Sequence, residues 1–199
     1  MMIPIPADFL FRVAPRIVGA KSALQHQLID AIQPLLAATL ERFGIDTVDR
    51  VAYWAGQVCV ESDQFSTTVE YASGAAYEGR NDLGNTEPGD GRRFKGRGLI
   101  QLTGRHNYAT AGVALGLDLI RAPSIAAEPL NALVIACWFW QSRNLSAVAD
   151  MPEEVEPPKI ERITRKINGG LNGIVERDEA TDRAFAAMGV VTQGTEDAG

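Results

Sequence analysis

The chain has 199 residues, 46% of them hydrophobic and 22% charged, which predicts one globular domain with a substantial core. Its formal net charge of -6 argues against a general nucleic-acid-binding protein, because such proteins carry an excess of cations. The prolines and charged residues among positions 1–20, and the lack of any long apolar run, lead us to expect neither a signal peptide nor a membrane-spanning helix.

Helical periodicity dominates the sequence and predicts a mainly α fold. The first two predicted helices cover residues 22–32 and 34–43. The second has Pro34 in its first turn, where the missing N–H does no harm, and Gly44 after its end. A third helix covers residues 46–60. The later predicted helices span residues 107–116, 128–141 and 175–189.

Glu61 directly follows the third predicted helix. A carboxylate at this position meets the negative end of the helix dipole and, judging from the preceding residues, largely apolar neighbours. Both effects disfavour the charged form of the carboxyl group. Glu61 is therefore a candidate general acid.

A second carboxylate comes nine residues later, at Glu70. The stretch 66–71 is rich in Thr and Val and favours a short strand or extended loop, in which Thr68 and Glu70 share one face. Glu70 can then point into the same cleft as Glu61 while it stays hydrated and ionised. Two carboxyl groups in unequal environments suit glycoside hydrolysis, although most of the 25 acidic residues are expected to be solvated surface groups.

Residues 89–108 combine repeated glycines, clustered cations and polar side chains set between apolar ones, and this pattern predicts a groove wall. Gly96, Gly98 and Gly104 permit a close approach of the backbone or a positive φ angle. Amide and hydroxyl groups in the same stretch can hydrogen-bond to sugar hydroxyls. The side chains that carry these groups are Gln101, Thr103 and Asn107.

These motifs, in this order, resemble those of glycoside hydrolase family 19. The residues that carry the resemblance lie in 61–70, 77–91, 94–108 and 167–173, and the similarity runs roughly from residue 30 to residue 189. Within the family, the chain resembles the phage and prophage endolysins that cut peptidoglycan more than the chitinases. The resemblance implies a lysozyme-like, two-lobed helical domain with a small β-hairpin or loop region beside the cleft.

The resemblance also implies an inverting mechanism and a set of site residues. Glu61 corresponds to the general acid and Glu70 to the base that activates water; in inverting enzymes the two carboxyl groups are generally about 6.5–9.5 Å apart. The residues that would bind substrate and water are Gln101, Thr103, Asn107, Tyr108 and Asn168. For Asn168 the alternative is a turn or helix-capping role, because Asn-Gly is a common turn dipeptide.

The chain departs from the family pattern around the acid. The family usually has His before the acid and two glycines soon after it, whereas this chain has Val60, Asp63 and Gln64 at those positions. We expect the chemistry to survive and the local turn to differ. Glu78, in another polar loop, is an alternative second carboxylate, but the nearby Arg80 suggests that it forms an ion pair instead.

Cys59 and Cys137 lie in apolar helical contexts, and we expect two buried thiols, with a disulfide as the alternative. His26 and His106 do not form the kind of cluster that zinc needs, so we expect no metal and no cofactor. The aromatic run at 138–140 is expected in the core rather than as a platform for sugars.

We expect residues 1–199 to form a single catalytic domain, with a core from about residue 22 to residue 189, a disordered tail over 190–199 and no separate wall-binding domain. We also expect a monomer whose partner is the glycan of peptidoglycan, with no nucleic-acid partner and no membrane insertion. The resemblance implies synthesis in a host cytoplasm without a signal peptide, release by a separate pore-forming protein, and action at the cell wall.

Two other functions compete with this interpretation. A chitinase would use the same fold and mechanism, but secreted plant chitinases of the family carry disulfides and a signal sequence. A non-enzymatic binder would grip phosphate with a basic patch, although the net charge is acidic and the stretch lacks the third glycine of a dinucleotide motif. We expect the cations instead to pair with nearby acids and to line a groove for an acidic glycan. The cations are Arg92, Arg93, Lys95, Arg97 and Arg105, and the acids are Asp82, Glu87 and Asp90.

Overall fold

The computed structural model describes residues 3–190, so most of the predicted tail lies outside the described residues. The described part is mainly helical, which confirms the predicted fold class. None of its helices is both long and apolar enough to cross a bilayer. The α-helices are α1 (Phe9–Val13), α2 (Ala20–Arg42), α3 (Val48–Glu61), α4 (Asp90–Arg93), α5 (Arg105–Leu115), α6 (Pro129–Ser142), α7 (Leu145–Ala149), α8 (Lys159–Asn168) and α9 (Ile174–Ala187).

The helix α2 is continuous through Pro34, so the predicted division into two helices is wrong. Pro34 lacks the N–H that would bond to the carbonyl of Asp30, which removes one hydrogen bond from the helix. The helix continues because its apolar face, which includes Ile32 and Leu36, is fully buried on both sides of the proline. Burial of that face outweighs the local cost, and the helix ends before Gly44, as predicted.

The helix α3 runs through the middle of the core. It begins after Thr47, whose hydroxyl accepts a hydrogen bond from the backbone N–H of Arg50. Residues 51–59 are all buried, and α9 packs along them. At Gly56 a Cβ atom would lie 2.9 Å from the carbonyl oxygen of Arg177, so only glycine permits this close crossing. The crossing brings Arg177 of α9 beside the C-terminal end of α3.

The short helix α1 belongs to the core. Phe9, Leu10 and Val13 are fully buried, and α1 packs against α2 and α9. The predicted start of the core near residue 22 therefore leaves out one buried element. The prolines that flank α1 obscured it, because they interrupt the helical pattern in the sequence.

The segment between α3 and α5 is largely irregular. The predicted strand at 66–71 is an extended stretch held by single contacts: the N–H of Glu70 donates to the carbonyl of Gly96 at 3.0 Å, and the N–H of Gly98 donates to that of Thr68 at 2.8 Å. Two isolated β-bridges, Val69 with Arg97 and Arg97 with Leu102, make up the β structure among the described residues. Short 3-10 helices at Ala75–Tyr77 and Asn81–Leu83 and the one-turn helix α4 also lie in this segment.

The aromatic run of α6 divides between the core and a groove. Trp140 is buried, as predicted, whereas Trp138 and Phe139 are only partly buried and line a groove beside residues 100–103. The predicted core position is confirmed for Trp140, whereas Trp138 and Phe139 pack against the core and also line the groove. The division follows from helix geometry, since successive residues of a helix point about 100° apart.

Both cysteines are free, buried thiols, as predicted. Burial raises the pKa of the Cys59 thiol to about 12 and also raises that of Cys137. Both side chains therefore act as small apolar groups in the core.

Candidate active site

Glu61 is the last residue of α3, and its carboxyl group faces a cation. Its Oε1 accepts a hydrogen bond from Nη2 of Arg177 at 2.6 Å. The side chain of Glu61 is 17% exposed and that of Arg177 only 4% exposed. The largely apolar surroundings predicted for Glu61 are therefore wrong, because α9 delivers a guanidinium group that the local sequence could not reveal.

A chain of buried hydrogen bonds holds Arg177 in place. Its Nη1 donates to Oε1 of Gln57 at 2.7 Å, and its Nε donates to the carbonyl oxygen of Asn172 at 3.1 Å. The amide of Gln57 in turn donates to the hydroxyl of Thr164 at 3.0 Å. Three helices, α3, α8 and α9, thus fix the position of the Glu61 carboxyl group.

Sequence reasoning missed Arg177, although its position in α9 carried a signal. Arg177, Ala180, Thr181 and Ala184 are buried and recur at the spacing of one helix face. A lone arginine on a buried stripe needs an acidic or polar partner. That signal indicates a buried ion pair, but it does not say which acid completes it.

The carboxyl group of Glu70 is bound by neutral donors. Its Oε1 accepts a hydrogen bond from the hydroxyl of Tyr77 at 3.0 Å, and its Oε2 accepts one from the backbone N–H of Gly96 at 2.9 Å. Burial raises the pKa of Tyr77, and the hydrogen bond to Glu70 raises it further. The two predicted catalytic carboxyl groups therefore lie in unlike settings, one beside a buried cation and one beside a phenol and an amide.

Gly96 permits the close packing around Glu70. A Cβ atom on Gly96 would lie 2.7 Å from Oε1 of Gln101 and 3.1 Å from Oε2 of Glu70. Both distances are shorter than ordinary contacts, so a side chain here would displace one of the two groups. The glycine thus joins the segment that bears Glu70 to the predicted substrate-binding stretch.

The turn after Glu61 has an unusual backbone. Asp63, Gln64 and Phe65 are consecutive residues with positive φ angles of 50°, 65° and 58°. Left-handed conformations cost of order 1–3 kcal/mol each for residues other than glycine. Asp63 and Gln64 thus adopt a backbone conformation that glycine would adopt without strain.

Three of the predicted substrate-binding residues line one groove of about 210 Å³. The groove is bounded on its other side by Trp138, Phe139 and Ile167. Short hydrogen bonds fix the three polar side chains to their own segment: Gln101 donates to the carbonyl of Gly98, Thr103 to that of Gln101 and Asn107 to that of Thr103, at 3.1, 2.8 and 2.7 Å.

Tyr108 is fully buried and does not face the groove. Its hydroxyl donates to the carbonyl of Lys95 at 2.7 Å and accepts a hydrogen bond from Arg97 at 3.0 Å. Burial raises the pKa of Tyr108 to about 12. Because Tyr108 is buried, the prediction that it contacts substrate is wrong. Its hydroxyl group instead stabilises the glycine-rich segment.

Asn168 ends α8, and its side chain is bonded within the following turn. Its Oδ1 accepts a hydrogen bond from the N–H of Gly170 at 2.8 Å, and its Nδ2 donates to the carbonyl of Asn172 at 3.1 Å. Gly169 follows with a φ angle of 77°, which is typical of a helix C-terminus. The preceding residue, Ile167, lines the groove, so Asn168 is the sequence neighbour of a groove residue.

Glu78 does not pair with Arg80, so that prediction is wrong. Its two carboxylate oxygens accept hydrogen bonds from the backbone N–H groups of Gly89 and Gly91, at 2.6 and 2.8 Å. Arg80 pairs with Asp82 instead. Glu78 therefore braces the loop before α4.

Of the five cations of residues 92–105, Arg92 and Arg93 are exposed and the other three are partly buried and hydrogen-bonded within the protein. Arg105 forms two hydrogen bonds with the buried Asp90, which confirms one predicted pair. Arg97 donates to the carbonyl of Arg93, and Lys95 donates to that of Glu70. Since these groups satisfy backbone carbonyls, they stabilise the segment and are not lined up along a groove. Within residues 3–190, no cluster of three or more His, Cys, Asp or Glu side chains could hold a metal ion.

Comparison with known proteins adds a family to this geometry. The family model described as chitinase class I, of the glycoside hydrolase 19 group, matches residues 49–184. A glycosyl hydrolase family 19 domain-containing protein of Haemophilus influenzae is 38% identical over 114 residues, which are 57% of this chain and 52% of that protein. Acidic endochitinase Q of Nicotiana tabacum is 31% identical over 159 residues, 70% of this chain and 60% of its own length. The chain thus spans a little over half the length of these relatives.

Solved structures share the fold. Chitinase C of Streptomyces griseus superposes with a TM-score of 0.62 at 19% identity, over 96% of this chain and 79% of that one. A class IV chitinase of Zea mays gives the same TM-score at 18% identity, over 92% of each chain. The helical architecture therefore persists where little of the sequence does.

Proposed function

The chain belongs to glycoside hydrolase family 19, and from this premise we propose that it hydrolyses the glycan strands of bacterial peptidoglycan, as a lysozyme of the endolysin type. Glu61 acts as general acid and Glu70 as the base that activates water, with inversion at the anomeric carbon. One observation carries the proposal: two carboxyl groups nine residues apart are held rigidly in unlike settings.

Arg177 gives the Glu61 carboxyl group a defined orientation. Because Oε1 is bound to the guanidinium group, Oε2 is the oxygen from which a proton can pass to the leaving glycosidic oxygen. Among the described residues, Oε2 has no hydrogen-bond partner of its own. The contacts of Arg177 with Gln57 and Asn172 hold the guanidinium group in the position that sets this orientation.

Glu70 has the capacity to accept a proton. Each oxygen of its carboxylate accepts one hydrogen bond, from Tyr77 or from Gly96, and a carboxylate has about four acceptor positions in all. The remaining positions can take the proton of a water molecule as that water attacks the sugar from the face opposite the leaving group.

The groove residues present acceptors to the sugar. Gln101, Thr103 and Asn107 each donate one hydrogen bond to a backbone carbonyl, so their oxygens and the second N–H of each amide remain for the glycan. N-acetylated sugars offer hydroxyl and acetamido N–H donors that match such oxygens. Trp138 and Phe139, on the facing wall, offer apolar surface to the faces of sugar rings.

Chitin is the second candidate substrate, because the names of the plant relatives and of the similar solved structures are those of chitinases. Peptidoglycan is preferred on two grounds. Both cysteines are free, unlike those of the disulfide-bearing plant enzymes, and a 38% identical relative comes from a bacterium. The proposal includes a monomer, made in a host cytoplasm and released to the wall by a separate pore-forming protein.

Digestion of both polymers tests the proposal. Purified peptidoglycan and chitin oligosaccharides are incubated with the wild type, Glu70→Gln and Glu78→Gln, and the reduced products are analysed by mass spectrometry. We expect muropeptides with reducing-end N-acetylmuramic acid, severe loss of turnover in Glu70→Gln, and near-normal turnover in Glu78→Gln. Cleavage of chitin alone would overturn the substrate, and greater damage from Glu78→Gln would overturn the choice of base.

A further inference from the structure

We propose, on the basis of the glycosidase function proposed above, that Asp63 is a positioning residue that ties the segment bearing Glu61 to the segment bearing Glu70. It acts through Lys21 and Tyr71, and these three side chains are called the Asp63 clamp. Nothing in the reaction requires Asp63 to touch the glycan. Its contribution is the relative placement of the two carboxyl groups.

The contacts of the clamp reach three parts of the chain. Nζ of Lys21, in the first turn of α2, donates to Oδ1 of Asp63 at 2.7 Å. The hydroxyl of Tyr71 donates to Oδ2 at 2.8 Å. Asp63 lies two residues after Glu61, and Tyr71 lies one residue after Glu70, so the Tyr71 hydrogen bond closes the loop that separates the two carboxyl groups.

A second contact fixes the same turn from α2. The side-chain amide of Gln25 donates to the carbonyl of Gln64 at 2.8 Å, and Lys21 also reaches Oε1 of Gln64 at 3.4 Å. Burial of Asp63 raises its pKa, but the hydrogen bonds from Lys21 and Tyr71 outweigh burial and hold the pKa below its usual range. Asp63 is therefore ionised under ordinary conditions.

The backbone of the turn supports a role for these side chains. Asp63, Gln64 and Phe65 all have positive φ angles, which glycine would adopt without strain. Glycine at positions 63 and 64 would be sufficient to form the turn itself. The side chains present instead hold α2 and Tyr71 to the turn, so the strain is offset by contacts that glycine cannot make.

Tyr71 also suggests a competing role. Tyr71 is 77% exposed and its hydroxyl is hydrogen-bonded, as would suit a platform for a glycan. A platform needs the ring, whereas the clamp needs the hydroxyl. Tyr71→Phe keeps the ring and removes the hydroxyl, so it separates the two roles.

Kinetics and stability of five variants test the clamp; one of them, Tyr71→Ala, removes the ring and serves to detect a platform. Asp63→Gly removes the carboxylate and suits the positive φ angle, and we expect kcat to fall about 10- to 100-fold, with KM and the melting temperature little changed. Tyr71→Phe should lower kcat in the same way, and its loss should not add to that of Asp63→Gly. Asp63→Asn keeps one acceptor and tolerates the left-handed backbone, so it should recover part of the loss. Asp8→Asn, which breaks the exposed pair with Arg12, is the matched control and should leave kcat unchanged.

Hydrogen exchange gives a readout that does not depend on activity. In Asp63→Gly we expect faster amide exchange over residues 64–70 and unchanged exchange in α3 and α9. If the wild type were inactive on both glycans, the proposed function would be wrong. The exchange data would still show whether Asp63 holds residues 64–70 in place. Normal kcat with unchanged exchange in Asp63→Gly would overturn the clamp. Normal kcat in Tyr71→Phe, with raised KM in Tyr71→Ala, would overturn it in favour of a platform.

Discussion

The two carboxyl groups of the site are held by opposite kinds of structure. Glu61 ends a buried helix, and the guanidinium that binds it comes from another helix packed along the first. Glu70 lies in irregular chain, held by Tyr77 and by the backbone of Gly96. We therefore expect changes around Glu61 to lower both stability and catalytic rate. Changes around Glu70 should lower the catalytic rate with less effect on stability.

The largest expected effect comes from Glu61→Gln. The amide oxygen can still accept the hydrogen bond from Arg177, but the amide has no acidic proton for the leaving oxygen. We expect kcat to fall by about 10²–10⁴-fold, the usual contribution of general acid catalysis. Turnover of purified peptidoglycan and the melting temperature are measured together. Near-normal turnover in a folded variant would remove Glu61 from the acid role.

Arg177→Met tests the helical half of the comparison. It removes the donor to Oε1 of Glu61 and the donor to Oε1 of Gln57, and breaking a buried ion pair costs about 3–5 kcal/mol. Because Glu61 is partly exposed, we expect the lower part of that range, with a loss of kcat. Urea unfolding gives the free energy of unfolding. Unchanged stability would contradict the view that the acid is built into the core.

Gly96→Ala tests the irregular half. The added Cβ atom would crowd Gln101 and Glu70, so one of them must move. We expect kcat to fall about 10-fold or more, because small displacements of catalytic groups are costly, with a smaller loss of stability than in Arg177→Met. Loss of stability without loss of kcat would reverse the comparison.

Asn168→Ala should cost roughly 1 kcal/mol, because the two hydrogen bonds within the turn after α8 are lost. The substrate role implied by the family resemblance predicts in addition a fall in kcat/KM. Asn168→Asp is the matched variant, since it keeps the acceptor for the N–H of Gly170 and removes the amide donor. Thermal unfolding and kinetics of the two variants separate the roles: normal kcat/KM in both would leave only the turn.

The smallest expected effect is on stability at low pH. The hydrogen bonds from Arg105 to Asp90 hold the pKa of Asp90 below its usual range. The pair therefore contributes stability at pH values above the unfolded pKa, about 3.9, and that contribution is lost as the pH falls through the lower pKa of the folded state. We expect the melting temperature to fall more steeply between about pH 4 and pH 2 in the wild type than in Asp90→Asn. Parallel curves would show that the pair adds little.

Local patterns predicted α2, α3, α5, α6 and α9 but missed α8, and they did not reveal the partners of the two glutamates proposed to be catalytic. Periodicity located α3, α5, α6 and α9 to within two or three residues, because each buries a regular face. Pro34 led to the wrong prediction of two separate helices. Burial of the apolar face of α2 outweighed the tendency of proline to interrupt a helix. The sequence did not predict the contacts of Arg177 and Tyr77 with the two glutamates. Arg177, for example, is 116 positions from Glu61, and nothing in the sequence around Glu61 indicates that contact.

Glu61 and Arg177 are far apart in the sequence, so they leave the ribosome at different times. On a ribosome, α3 emerges more than a hundred residues before the arginine that orients its terminal carboxyl group, so both glutamates exist in the nascent chain well before one of them is held. Contacts this distant in sequence form late, because a long loop must close first. A chain cut short before residue 177 would carry both carboxyl groups and lack the guanidinium that orients the first. The proposed activity would then require that α9 has been synthesised.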